Sequence, residues 1–316
     1  MRRLGRLCAA VLVCLAAGCG GSDGGGGGGA APAGGPNGKT TVGVSLRTRS
    51  HDFYKDLEAG MVEEAAKQNI TLVIQAAEAD ATAQARQIED FVTRKVDAIV
   101  VIPCESDTVA ANLRAAAAAK IPVFTADIAA TGADVVSHVA SDNHLGGKLA
   151  GEAMAKLLGG KGQVIVIDHP SVSSVQDRVR GFEEAIAAHP GIEVVGKPSS
   201  DGERVKAQAV MEDALTRHPD LRGVFGINDD SALGALRAVE AAGRKGIVII
   251  GYDATPEAQA AIKRGSALMA DVIQYPKRIG AMTIDAIATH LAGGKVDKLT
   301  PVDVGIVDPE SLATPK

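Results

Sequence analysis

The sequence predicts an α/β protein made of two lobes, each a parallel sheet wrapped by helices. Three observations carry that prediction. Short β-branched runs alternate with longer alanine-rich amphipathic stretches from Lys39 onward. Two of the runs, Ala98-Ile99-Val100-Val101-Ile102 and Ile247-Val248-Ile249-Ile250, are apolar without interruption, as strands buried on both faces are. The alternation breaks once, where Pro122–Asp127 and Val135–Ser141 are separated only by residues 128–134, too few for a helix. Strand and helix in alternation make parallel sheets with right-handed crossovers. The break reads as the chain leaving one lobe for another, and residues 39–316 exceed the ~100–200 residues of one ordinary domain.

The N-terminal residues stand apart from this rhythm. Arg2, Arg3 and Arg6 form a basic start, and residues 7–18 are an uncharged apolar run, shorter than the ~20 residues that span a bilayer. Residues 1–18 therefore read as a cleavable secretory signal. The run ends Leu15-Ala16-Ala17-Gly18-Cys19, which resembles the lipobox of bacterial lipoproteins, in which Cys19 would be acylated and become the mature N-terminus. Gly20 to Gly38 holds eleven glycines with Pro32 and Pro36 and cannot bury enough apolar surface to fold. The resemblance thus implies that residues 19–38 are an acylated cysteine and a tether with an r.m.s. reach of roughly 25 Å; the plainer reading is an ordinary signal peptide cut nearby, with Cys19 a free thiol. Of the four cysteines, Cys8, Cys14 and Cys19 fall in this segment, so the body keeps Cys104 alone and no disulfide framework is expected. Loss of residues 1–18 removes three arginines and no acid, taking the formal charge from −5 to −8, which excludes nucleic acid as a partner.

In the body the expected strands are, in order, Thr41–Leu46, Thr71–Ala76, Ala98–Pro103, Pro122–Asp127, Val135–Ser141, Gln163–Asp168, Glu193–Gly196, Gly223–Asn228, Ile247–Asp253 and Leu268–Gln274, with helices between most of them. Ligands of open α/β sheets sit beyond the carboxyl ends of the strands. Arg47, the Arg49–Tyr54 loop, Cys104, Asp127, His169, Asn228, Asp253 and Gln274 stand there. The aromatics gather at the same ends: Phe53 and Tyr54 are adjacent, Tyr252 precedes Asp253 and Tyr275 follows Gln274, which places all three tyrosines of the chain at strand ends. Carboxylates and amides engage paired hydroxyls while rings cover C–H faces, so this mixture suits a neutral monosaccharide or small polyol. Each feature also has a plainer reading. Asp127 and Asp253 could cap helices, Phe53 and Tyr54 could pin the start of the first helix, and Asn228-Asp229-Asp230 could cap a helix or, less aptly, hold a metal. Cys104, without a partner, is expected to be a packed small side chain.

Several separated stretches then resemble one family. Val139-Ala140-Ser141-Asp142-Asn143 with Gly146-Gly147-Lys148, Asn228-Asp229-Asp230 followed by Ala232-Leu233-Gly234-Ala235-Leu236-Arg237-Ala238, and Gly251-Tyr252-Asp253-Ala254-Thr255-Pro256 are similar to the ribose-type periplasmic sugar-binding proteins of ABC importers, from about Lys39 to Asp308. The resemblance implies a type I periplasmic binding protein fold: two doubly wound parallel-sheet lobes joined by three crossover strands, closing on a sugar. On this chain it puts the crossovers near Ser141, Gln274 and Val302, one lobe at 39–141 plus 275–303 and the other at 142–274 plus 304–316. It implies ligand contacts from Phe53 and Tyr54 as stacking rings, Asp127 and Asp253 as hydroxyl-binding acids, Asn228 and Gln274 as amides, His51 where ribose binders carry an Asn, and Gln176 where they carry an Arg. Ile128 replaces another arginine of the family, an aromatic is missing near Gly202, and Arg178 stands near enough to Gln176 to reach the pocket. With both arginines replaced, the ring oxygen of ribose would lose its usual donors.

The resemblance thus implies a binding protein of an importer, with a membrane permease as partner and a monomeric state. The N-terminal segment adds a lipid anchor on Cys19 and an extracytoplasmic location, in the periplasm or on the cell surface. The alternative is a lipoprotein that presents its sugar-loaded form to a chemoreceptor or sensor kinase. The chain has no Gly-x-Ser-x-Gly elbow, no Gly-x-x-x-x-Gly-Lys loop, no His-Glu-x-x-His and no Cys-x-x-Cys, so no enzyme, cofactor or metal is expected. Residues 1–38 offer no basic helix-turn-helix, which sets aside a repressor built on the same core.

Overall fold

The computed structural model describes residues 39–313. The expected signal segment 1–18, Cys19 and the tether to residue 38 lie outside the described residues. The first part of the chain forms β1 (Thr41–Leu46), α1 (Asp52–Lys67), β2 (Thr71–Ala76), α2 (Ala81–Arg94), β3 (Ala98–Val101), α3 (Ala110–Ala118), β4 (Val123–Ala126) and β5 (Ser137–Ser141). The second part forms α4 (Asn143–Leu158), β6 (Lys161–Ile167), α5 (Ser173–Ile186), β7 (Gly191–Gly196), α6 (Arg204–Arg217), β8 (Leu221–Gly226), α7 (Asp229–Ala241), β9 (Val248–Asp253), α8 (Pro256–Lys263) and β10 (Leu268–Ile273). It closes with α9 (Pro276–Leu291), β11 (Leu299–Val302), β12 (Gly305–Val307) and α10 (Pro309–Ala313).

The strands make two six-stranded sheets, ordered β11-β5-β4-β3-β1-β2 and β12-β10-β9-β8-β6-β7. The continuous apolar runs lie at their centres: β3 is fully buried, and so are residues 248–252 of β9. Every expected strand is present, with ends shifted by at most two residues. Helix starts follow the local chemistry. Asp80 accepts from the amides of Thr82 and Ala83 to cap α2, Asp142 caps α4 through Leu145, and Thr255 caps α8 through Ala258 with Pro256 as its first residue.

The fold is the expected pair of α/β lobes, and the chain passes between them three times: after β5, after β10, and from β11 to β12. The sequence pattern does not mark β11 and β12, and only the family resemblance implies a crossover near Val302, because Leu299-Thr300-Pro301-Val302 carries a proline and Gly305–Val307 is three residues long. Both lie at sheet edges, where a proline costs no ladder bond. Pairing is parallel except for β10 with β12. The reason is directional: β10 runs toward a crossover, whereas β12 starts from one and runs away beside it. Among the described residues, no helix is long and apolar enough to cross a membrane.

Candidate functional site

Both sheets have a doubly wound order, and residues at or just beyond the carboxyl ends of strands from both line one cavity. One wall comes from the first sheet. Arg47 follows β1 and is 5% exposed, and among the described residues no hydrogen bond engages its guanidinium. The first turn of α1 turns Phe53 and Tyr54 inward, their rings edge to face with centroids 5.2 Å apart. Tyr54 Oη donates to Asp127 Oδ2 at 3.2 Å. Asp127 follows β4 with a left-handed φ of 61°, and its Oδ1 is buried without a partner among the described residues. Burial pushes the Asp127 carboxyl up to about 6, against the pull of Arg178, Tyr54 and Arg47.

The facing wall comes from the second sheet. Asp253 ends β9 with φ 122°, and its Oδ1 accepts from Gln274 Nε2 at 2.6 Å. Burial, with Asp229 close by, holds this carboxyl well above its ordinary range. Gln274 is buried and its Oε1 has no partner. Arg178 of α5 lines the cavity from a braced position. Its Nε donates to Asn143 Oδ1 and its Nη1 to the Ile227 carbonyl, both at 2.8 Å, and its guanidinium stacks 3.9 Å from the centroid of the Tyr252 ring. Tyr252 in turn donates to Asn143 Oδ1 at 3.3 Å and needs the bare Cα of Gly146, since a side chain there would strike its hydroxyl. His169, after β6, also lines the cavity, its imidazole pushed down to about 4 by burial and by Arg47.

His51, Phe53, Tyr54, Asp127, Asn228, Asp253 and Gln274 are thus brought to one cavity. His51 sits at its rim, 3.6 Å from Asp230 of the other lobe, and burial lowers its pKa. Asn228 also performs the plainer role, capping α7 through Ser231 and donating to the Gly202 carbonyl. Three expectations are corrected. Gln176 does not line the cavity; it is exposed and donates to the Pro170 carbonyl, because the inward stripe of α5 is Val175, Arg178, Val179 and Phe182, spaced three and four apart. Tyr252 supports Arg178 from beneath and Tyr275 lies 39% exposed, so Tyr54 alone of the three tyrosines reaches the cavity. The third concerns ribose, whose ring oxygen is expected to lose its donors: Arg178, which the sequence places near enough to reach the pocket, and Arg47, which it places at the end of β1, put a guanidinium on each wall. The helical phase of α5 is the signal that identifies Arg178; for Arg47 the only signal is its place after β1. Cys104 is buried, its thiol pushed up to about 11. Among the described residues no group of three or more His, Cys, Asp or Glu could hold a metal.

Two doubly wound lobes joined by three crossings, with a polar cavity between their strand ends, define a two-lobed solute-binding protein. The chain belongs to the periplasmic binding protein domain family, whose model matches residues 42–295. It is 37% identical over 270 residues to the ribose import binding protein of Salmonella typhimurium, covering 85% of this chain and 90% of that protein. It is 31% identical over 268 residues to the xylitol-binding protein of Mycolicibacterium smegmatis, covering 83% and 75% respectively. The fold is similar to that of an ABC transporter solute-binding protein from Agrobacterium vitis bound with α-D-tagatopyranose, with a TM-score of 0.83 and 29% identity over 88% of this chain and 97% of that one.

Proposed function

We propose that this protein is the extracytoplasmic solute-binding component of an ABC importer for a monosaccharide or small polyol, acting by binding and not by chemistry on its ligand. One observation carries the reading. Two buried acceptors without partners, Asp127 Oδ1 and Gln274 Oε1, face a cavity whose walls also hold ring faces and two guanidiniums. An unmade buried hydrogen bond costs ~1–3 kcal/mol, so a molecule rich in hydroxyls is stabilised on entering. The walls carry Asp127, Asp201 and Asp253 together with Arg47 and Arg178, so hydroxyl groups of a ligand find acceptors and donors alike. Relatives named for ribose and xylitol, and a structural neighbour holding tagatose, support the same ligand class.

Asp127 and Asp253 belong to different lobes, so a ligand that touches both favours the closed arrangement, with Ser141, Gln274 and Val302 as hinges. Closure also brings together Ser106 and Ser173, whose backbone N–H donates to Ser106 Oγ at 2.9 Å, and Ala129, whose N–H donates to Ser173 Oγ at 3.1 Å. The body is held at a membrane by acylated Cys19 after removal of residues 1–18, and it delivers its ligand to a permease as a monomer.

A thermal-shift screen of pentoses, hexoses and polyols, confirmed by calorimetry, tests the ligand class. Stabilisation by ~2.7 kcal/mol at a hundredfold excess over Kd is expected for a true ligand. A response to amino acids or metal ions alone would overturn the reading. Loss of membrane association in Cys19→Ser, with the body still folded, tests the anchor.

A further inference from the structure

Next to Asp253 two more carboxyl groups are buried: Asp229, the first residue of α7, and Asp271, within β10. Asp229 Oδ2 accepts the Thr255 N–H at 2.7 Å and Asp271 Oδ1 accepts the Ala254 N–H at 3.0 Å. Their other oxygens, Asp229 Oδ1 and Asp271 Oδ2, have no further partner among the described residues. They flank the bare Cα of Gly251, where any side chain would strike both, so the two buried carboxyl groups lie side by side. Two buried carboxylates so close cannot both stay ionised with no cation bound to either, so one keeps its proton and can donate it to the other.

We propose that Asp271 is protonated and donates to an ionised Asp229, and that this proton-sharing pair is the positioning device that aims Asp253 into the cavity. The assignment of the proton follows from placement. Asp229 lies in the first turn of α7, where the helix dipole favours an anion, while Asp271 is fully buried in mid-strand. Burial raises both groups, and the contact with Asp229 raises Asp271 further while lowering Asp229. The purpose follows from the backbone. Asp253 and Ala254 have φ of 122° and 53°, a conformation that persists in non-glycine residues only when the surroundings hold it. The pair grips the two N–H groups that come next in the chain, those of Ala254 and Thr255. The charges acting on the pair are Asp230 of α7 and Asp253 of β9, both acids that favour retention of the proton. The guanidiniums of this region are directed elsewhere: Arg178 acts on Asp253, and Arg204 bonds Asp230 at 2.8 Å.

The inference rests on the reading of Asp253 as a ligand-binding acid, and the test separates the two. The full chain, Asp271→Asn and Asp271→Leu are compared. Without ligand, melting temperature is followed from pH 4 to 8. A group whose folded pKa is raised gives its stability below the unfolded pKa and loses it as pH rises. The native protein should therefore lose ground to Asp271→Asn steadily across the range, because the amide donates the same bond without a proton to lose. A constant offset between the two would mean that Asp271 is ionised, and would overturn the proposal. Calorimetry with D-ribose and xylitol as probes then reads positioning. Asp271→Asn should bind within about threefold of the native protein and Asp271→Leu at least tenfold more weakly; a folded Leu variant with native affinity would overturn the positioning role. If the native protein binds neither probe, the ligand reading fails while the pH comparison still decides the proton. If the Leu variant does not fold, the same comparison decides.

Discussion

The Tyr54 hydroxyl donates a 3.2 Å hydrogen bond to one oxygen of Asp127 and leaves the other oxygen of that carboxylate buried and bare. The bond stabilises the anion and fixes the rotamer, so the free oxygen stands ready for a ligand hydroxyl. With the Asp127 pKa at about 6, ligand affinity is full above that value and lost below it. Calorimetry should show affinity about tenfold weaker at pH 5 than at pH 7. Tyr54→Phe removes the bond and should move the midpoint to higher pH. A flat profile between pH 5 and 8 would contradict this role for Asp127.

The same carboxylate is expected to weaken the empty protein. Its folded pKa of about 6 exceeds the unfolded value of ~3.9, so its contribution to stability declines as pH rises from ~4 to 6. Asp127→Asn should match the native protein at pH 4 and exceed it by ~1–3 kcal/mol at pH 7, while binding ligand poorly. Denaturant unfolding of the ligand-free protein at the two pH values checks this.

Arg178 and Gln176 provide a contrast within one helix. Arg178→Ala removes two 2.8 Å hydrogen bonds and a stacked ring contact and should lower affinity by ~2–5 kcal/mol, with some loss of stability. Gln176→Ala, altering an exposed side chain, should change affinity by less than ~0.5 kcal/mol. Titration of both variants with the ligand found by screening decides between them.

Arg47→Ala should leave folding intact, since no hydrogen bond within the protein is lost, yet weaken binding by ~1–3 kcal/mol if its donors meet ligand oxygens. Equal affinity in the variant would remove Arg47 from the site.

Asp253→Ala should abolish both binding and closure, because it deletes the acid of the second wall and strands Gln274. Small-angle scattering with and without ligand reads closure, and an Asp253→Ala variant that still compacts on ligand addition would contradict the trap.

Much of the fold is legible in the sequence because strand and helix leave different periods in it. The runs at 98–102 and 247–250 suit strands buried on both faces, and residues at or just beyond strand ends, among them Asp127 and Asp253, follow from the topology. Side-chain direction is harder to read. Tyr252 and Asp253 are neighbours, yet alternation along β9 sends one under Arg178 and the other to the cavity. Gln176 and Arg178 differ by half a turn of α5, and a motif match two residues out of phase selects the exposed one. Asp271 gives no signal at all, because its partner Asp229 is 42 residues away and an acid inside a strand reads as a solvated face. Strands β11 and β12 escape notice since edge strands need neither length nor a continuous apolar run.

The three passages of the chain between the sheets carry a consequence for biosynthesis. The first sheet takes its edge strand from Leu299–Val302, and α1 packs against α9, which begins at Pro276. Neither partner exists until nearly the whole chain has been made. The early lobe therefore waits, with an open sheet edge and an uncovered helix face, while the later lobe is synthesised in full. Ordinary multidomain chains complete their first unit as it emerges; here the first unit to start is among the last to finish. Cutting the gene at Ser141 would yield no autonomous half, and an export route that keeps the chain unfolded until its end is released suits this order of assembly.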